Sequence, residues 1–188
     1  MIQTDFVLDA QGLACPMPIV KTRKVMKELE PGKVLEVQAT DKGSTADLKA
    51  WAEGIGHQYL GTTEENGLLK HYVRKSGGEE QVEKQHPHVV SNEELQAIVA
   101  DHADALILDV RESAEYAFGH IPGARSLPLG DFESGLASLD KESAVYVVCR
   151  TGNRSDIASQ KLAAAGFTNV KNVVPGMSEW NGPTERSM

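Results

Sequence analysis

One stretch constrains the fold more than any other: Ala144-Val-Tyr-Val-Val-Cys149-Arg-Thr-Gly-Asn-Arg154-Ser155. Ala144 to Val148 is a short apolar run, rich in β-branched residues and bounded by polar segments. Such a run reads as a strand buried on both faces of a parallel sheet. From Ser155 the period changes: Ala158, Leu162 and Ala165 fall at i, i+4 and i+7, a helix face, and Gly166 supplies the stop. Cys149 is therefore expected on a tight strand-to-helix turn at the carboxyl end of a parallel strand, where open α/β sheets place their ligands. Gly152 and Asn153 tolerate a left-handed backbone and let successive N–H groups turn toward the sulfur. An amide cradle at a helix N-terminus stabilises a sulfur anion, and Arg150 and Arg154 add two cations at its rim. The pattern predicts a nucleophilic cysteine of lowered pKa that needs no histidine base. The alternative is a structural cysteine closing a strand.

Cys149-Arg-Thr-Gly-Asn-Arg154 resembles the active-site loop of rhodanese sulfurtransferases. Leu108-Asp-Val-Arg-Glu112, Glu115-Tyr-Ala-Phe-Gly-His-Ile-Pro-Gly-Ala124 and Gly176-Met-Ser-Glu-Trp-Asn-Gly182 match the same family in order and spacing, over residues 88 to 183. The resemblance implies a persulfide on Cys149, with Arg150, Thr151, Gly152, Asn153 and Arg154 as the loop that binds the anionic donor. Asp109, Arg111 and His120 read as braces of the architecture rather than reacting groups, and Trp180 as packing near the loop. Related folds house phosphatases and arsenate reductases with a Cys-x5-Arg loop. The Cys149-x4-Arg154 spacing here gives a cradle one residue shorter, too tight for a tetrahedral phosphoryl group.

The chain has 188 residues, 40% apolar and 24% charged, as in soluble globular proteins, and length allows one or two domains. No apolar run approaches the roughly 20 residues of a membrane span, and the first residues carry no secretory pattern. The two cysteines, Cys15 and Cys149, have no second cysteine near either. That excludes a cysteine zinc cage and a CxxC redox pair and fits a reducing cytoplasm. Charge is unevenly placed: residues 1–75 hold ten basic and ten acidic residues, whereas residues 76–188 hold nine and seventeen, which accounts for the net −8. An acidic half argues against nucleic acid as a partner.

The first 75 residues read as βαβαββ, a small two-layer domain with helices on one face of a mixed sheet. Asp5 to Asp9 is a strand, and Pro16-Met-Pro18 opens a helix with Ile19, Thr22, Met26 and Leu29 on one face. Val34 to Ala39 is the second strand, and Ser44-Thr-Ala-Asp47 has the spacing of a capping box before a helix with Leu48, Trp51, Ala52 and Ile55 inward. His57 to Thr63 and Leu68 to Val73 form a hairpin with Asn66-Gly67 near its turn. Cys15 directly precedes a helix N-terminus whose helix carries Lys21, Arg23, Lys24 and Lys27, a setting expected to lower its pKa. The alternative is a small residue filling the first turn. Gly12-Leu-Ala-Cys-Pro-Met-Pro-Ile19, with Ala39-Thr-Asp41 and Gly56-His57, resembles the TusA/SirA-like domain over residues 5 to about 75. The resemblance implies that Cys15 carries sulfur as a persulfide to a partner protein, with Asp9 and Gly12 shaping the turn.

Residues 76–88 are nearly devoid of apolar side chains and read as a flexible, charged linker, in which His86 and His88 are solvated rather than metal ligands. Residues 89–188 read as a doubly wound α/β domain. A capping box at Ser91 to Glu94 opens a helix, and Ser113 to Phe118 forms another. Strands are expected at Ala105 to Val110, Ser126 to Leu129 and Val170 to Val174, with a helix at Asp131 to Ser138. The expected activity is sulfur transfer. Cys149 takes sulfane sulfur from thiosulfate or a persulfide and passes it to a protein or low-molecular thiol, by way of or together with Cys15. No cofactor, metal, nucleic acid or membrane is called for. A rival reading is a redox-sensing or binding module in which the two cysteines pair reversibly.

Overall fold

The computed structural model describes residues 1–77, 83–102 and 104–188, and the chain divides into two compact units, Met1–Gly78 and Glu79–Met188. In the first unit, β1 (Phe6–Asp9) runs parallel to β2 (Val34–Ala39), and β4 (Leu68–Arg74) pairs antiparallel with both β2 and β3 (Gln58–Glu65). The strand order is β1-β2-β4-β3. Leu35 and Val37, alternate residues of β2, meet Val73 of β4 and the buried faces of α1 (Met17–Glu28) and α2 (Ser44–Gly54), which contribute Met26, Leu48 and Ala52. The period-2 face of the sheet thus closes on the 3.6-period faces of both helices. Asn66 and Gly67 join β3 to β4 with φ of 52° and 80°, the pair of left-handed residues a type I′ hairpin requires. Two expectations fail here. Ile55, expected inward, follows the last turn of α2 and is exposed. Ser44 makes no capping box: its hydroxyl donates to Asp41 O, and the Asp47 carboxylate is engaged elsewhere.

The second unit is a five-stranded, wholly parallel sheet of order β5-β9-β8-β6-β7, with β5 at Val89–Ser91, β6 at Leu106–Asp109, β7 at Arg125–Ser126, β8 at Val145–Val148 and β9 at Val170–Val174. Both faces are covered. Leu108, Val145 and Val147 pack with Phe132, Ala158, Leu162 and Phe167 on one side. Ile107, Val148 and Val173 pack with Leu95 and Ile121 on the other. Alternation along β6 and β8 therefore sends apolar side chains both ways, which is why these strands read as continuous apolar runs. The helices are α3 (Asn92–Asp101), α4 (Ser113–Phe118), α5 (Phe132–Gly135, with a 3₁₀ turn on either side) and α6 (Asn153–Ala164). Ser91 and Glu94 form the expected capping box on α3.

Three sequence readings need correction in this unit. The strand expected at Ser126 to Leu129 is the two-residue β7, and Leu127 and Leu129 instead donate backbone N–H groups to Asp109 and Val110. The helix expected from Asp131 to Ser138 breaks into a 3₁₀ turn, four α-helical residues and a second 3₁₀ turn. The end of the expected linker is fixed to the sheet: Gln85 and His86 donate N–H groups to the buried Asp156 carboxylate at 3.0 and 2.8 Å, and His86 Nε2 meets Val170 O at 2.9 Å. His86 is thus a buried structural residue rather than a solvated one. Linker residues 78–82 lie outside the described residues. Among the described residues, no helix is long and apolar enough to cross a membrane, and no cluster of His, Cys, Asp and Glu could hold a metal ion.

Candidate active site

β8 delivers Cys149 to its carboxyl end, and the chain turns at once into α6. Gly152 is the residue before the helix, at φ 90°, a conformation that a side chain makes costly. That turn aims the Gly152 N–H at Cys149 Sγ, 3.1 Å away. Ser155 Oγ lies 3.3 Å from the same sulfur and donates to Asn172 Oδ1 at 2.6 Å, while Asn172 Nδ2 donates to Gly152 O at 3.0 Å. The single Ser155 hydroxyl proton goes to Asn172, so Ser155 does not donate it to the sulfur. From the far side, Met177 and Ser178 donate N–H groups to the carbonyls of Cys149 and Arg150 at 2.8 and 2.9 Å. Gly176, held at both its N–H and its carbonyl by the side-chain amide of Asn92, lies so close that a Cβ would sit 2.5 Å from Cys149 O. Strand, helix and this buttress hold the Cys149, Arg150 and Gly152 backbone in place.

The five loop residues separate into two groups. Arg150 and Thr151 are half-buried, whereas Gly152, Asn153 and Arg154 are buried. Arg154, expected as a cation at the rim, is 2% exposed and grips Glu115 with both terminal guanidinium nitrogens at 2.7 and 3.0 Å. Burial disfavours the Arg154 charge, but the Glu115 carboxylate more than offsets this and raises its pKa. Glu115 also accepts the Glu112 N–H, forming a capping box on α4. Arg154 thus ties the first turn of α6 to the start of α4. Arg111 is likewise bound to Asp109 and to Gly119 O, while His120 stacks on Tyr116 and bonds Tyr116 O, so all three brace the fold as the sequence suggests. Cys149 itself is 1% exposed. Trp180 packs with the Leu95 and Ile121 cluster and donates to Pro183 O, on the α3 side of the sheet.

In the first unit Cys15 is exposed, two residues ahead of α1. The turn that presents it is held by Asp9, which accepts the Gln11 N–H at 3.0 Å, by Gly12 at φ 72°, and by Thr40, which accepts the Gly12 N–H. The expected thiolate setting is absent. Pro16 and Pro18 have no N–H, and Met17 donates its own to Ala14 O, so the first turn offers the sulfur little. Instead Cys15 Sγ donates to Asp47 Oδ2 at 2.7 Å, and the Cys15 N–H donates to Asp41 Oδ2 at 3.2 Å. The hydrogen bond to Asp47 and the negative field of the two carboxylates raise the Cys15 pKa rather than lowering it.

Known proteins carry the same two parts in the same order. A family model described as Sulfurtransferase TusA matches residues 6–75, and one described as Rhodanese-like domain matches residues 91–183. YrkF of Bacillus subtilis is 48% identical over 185 residues, spanning 98% of this chain and all of YrkF. The chain belongs to the family of TusA–rhodanese fusions. The sulfur carrier protein TusA of Allochromatium vinosum is 40% identical to 40% of this chain, over its own entire length. The solved rhodanese-like domain protein of Staphylococcus aureus covers 54% of this chain and 99% of itself, at 30% identity and a TM-score of 0.51.

Both halves of this TusA–rhodanese fusion are therefore those of sulfur-transfer proteins. Sequence reasoning singles out the two cysteines but not the side chains that contact them or brace their loops. Glu115 lies 39 residues before its partner Arg154, Asn172 lies 17 residues after Ser155, and Asp47 lies 32 residues after Cys15. The one available signal is polarity in the wrong place: Asn172 interrupts the apolar run Val170 to Val174, and a polar residue in a buried strand needs a partner.

Proposed function

We propose that the fusion takes sulfane sulfur onto Cys149 as a persulfide and passes it to a thiol, with Cys15 as the carrier that delivers it. In the first displacement the Cys149 thiolate attacks the outer sulfur of thiosulfate. The new S–S bond forms as the old one breaks, and sulfite departs with the bonding pair. In the second, an acceptor thiolate attacks the outer sulfur of the Cys149 persulfide, and Cys149 leaves as the thiolate it began as. A persulfide donor follows the same path with a thiolate in place of sulfite. The observation that carries this reading is the Gly152 N–H directed at Cys149 Sγ from a turn held by Asn172 and by the Met177 and Ser178 N–H groups. Such a donor stabilises sulfur anions without contributing a proton-transfer group. A persulfide also extends the reactive atom by about 2 Å beyond a nearly buried Sγ.

Arg150 is the loop residue proposed to draw in the anionic donor, with the backbone of Thr151 to Asn153 around the outer sulfur. Arg154 acts through Glu115 to set the loop. A phosphoryl-transfer reading loses its main group, since the Arg154 guanidinium is bound by Glu115. The reading is tested by intact-protein mass spectrometry after incubation with thiosulfate. Cys15→Ser should gain one sulfur, wild type should gain sulfur on Cys149 first and then on Cys15, and Cys149→Ser should gain none. Sulfur uptake by Cys149→Ser at the wild-type rate would refute it.

A further inference from the structure

The most unusual contact outside the Cys149 loop is the one between Cys15 and Asp47. An exposed cysteine normally has water as its partner, yet this one directs its S–H to a carboxylate 2.7 Å away. The carboxylate has a competing use. Asp47 is the fourth residue of α2, where an acidic side chain would ordinarily fold back on the helix's own N-terminal amides. It makes no such cap, and α2 begins without any side-chain hydrogen bond to its first turn. The loop before α2 supports the same arrangement: Asp41 accepts the N–H groups of Cys15 and Gly43 on its two oxygens, holding the Cys15 backbone next to the start of α2. Asp47 thus contacts the sulfur and Asp41 the backbone of the same residue, and the two charges that act on the sulfur, Asp47 and Asp41, are of one sign.

We propose that Asp47 is the positioning residue of Cys15, holding the unloaded cysteine as a neutral, oriented thiol. The inference rests on the reading of Cys15 as the sulfur carrier and assigns the control of that site. To accept sulfur, Cys15 must first release its proton to solvent. Its thiolate then attacks the outer sulfur of a persulfide, the S–S bond of the donor breaks, and the donor thiolate leaves with the bonding pair. Asp47 opposes the first of these events twice, by accepting the S–H and by repelling the thiolate. An exposed cysteine held in this way is also slow to react with oxidants and electrophiles, which attack the thiolate.

The test is the pH profile of alkylation by iodoacetamide, read on the Cys15 peptide of the full chain by mass spectrometry. Wild type should alkylate only toward alkaline pH. Asp47→Asn, which keeps the shape and removes the charge, should shift the profile to lower pH and speed alkylation at pH 7.5 several-fold. Asp47→Glu should return it toward wild type, a rescue that a purely structural role in α2 would not show. Should Asn disturb the helix start, seen as loss of helical circular dichroism, Asp47→Ser removes the same charge with a residue suited to a first turn. Superimposable profiles for wild type and the charge-removed variant overturn the proposal. The readout involves no sulfur transfer, so that result would leave the carrier role of Cys15 intact. Absence of sulfur on wild-type Cys15 after loading would instead sink the carrier role and leave the Asp47 assignment standing.

Discussion

Arg150 and Arg154 lie four residues apart on one loop, and their surroundings differ. Arg154 is buried against Glu115, so Arg154→Ala or Glu115→Gln leaves one charge buried without its partner. Either change should cost about 3–5 kcal/mol of stability, measured by denaturant unfolding. Arg150 is half-buried at the loop, and Arg150→Ala should lose roughly one to two decades in donor efficiency, the weight of a charge-assisted contact of about 1.5–3 kcal/mol, with the melting temperature nearly unchanged. If instead Arg154→Ala kept its stability and lost donor efficiency, the guanidinium would belong at the donor site after all. Gly176 offers a second check at this scale. With φ at 94° and Cys149 O at 2.5 Å from any added Cβ, Gly176→Ala should destabilise by about 2 kcal/mol or more and slow sulfur loading, because the Cys149 carbonyl must move.

The elements repeat the point that partners distant in sequence decide what a local pattern cannot. β8, its turn and α6 were legible because each is written locally, as an apolar run, a glycine at positive φ and a 3.6-residue period. The segment after β7 was not, since its course follows backbone bonds to Asp109 and Val110 that leave no trace in its own residues. The Ser44 to Asp47 box has the right letters, yet Cys15 claims the carboxylate. Likewise the loop that surrounds Cys149 was readable and its supports, Asn172 and Glu115, were not. In β4, His71 is wholly buried; Ser44 Oγ, whose proton goes to Asp41 O, lies against its Nε2, and Tyr59 and Thr62 lie against its Nδ1. Burial pushes its pKa down from 6.5 to about 4. The folded state therefore binds fewer protons than the unfolded state between those values, so the His71 contribution is fully present above pH 6.5 and is lost as pH falls toward about 4, with a slope of at most about 1.4 kcal/mol per pH unit. Hydrogen exchange of the β4 amides across that window should show the loss, and His71→Gln should flatten it. A β4 protection that stays constant from pH 6.5 to 4 would contradict the assignment.

At the scale of the whole molecule, the chain joins two cysteines of contrasting character. Cys149 is buried, with an amide directed at its sulfur, whereas Cys15 is exposed and held as a thiol by a carboxylate. The contrast suits the proposed division of labour, in which the first sulfur would capture from a small anionic donor and the second, lying open, would meet a protein partner. The domain order was legible because each half carries several motifs in register, while the linker was read too long, since Gln85 and His86 bond to Asp156. The measurement closest to the central claim loads the protein with thiosulfate, removes the donor, and follows sulfur on each cysteine by peptide mass spectrometry over time. The account predicts that the persulfide appears on Cys149 first and then on Cys15, and that Cys149→Ser leaves Cys15 bare. Sulfur reaching Cys15 equally fast in Cys149→Ser, or never leaving Cys149 for Cys15 in wild type, would contradict it.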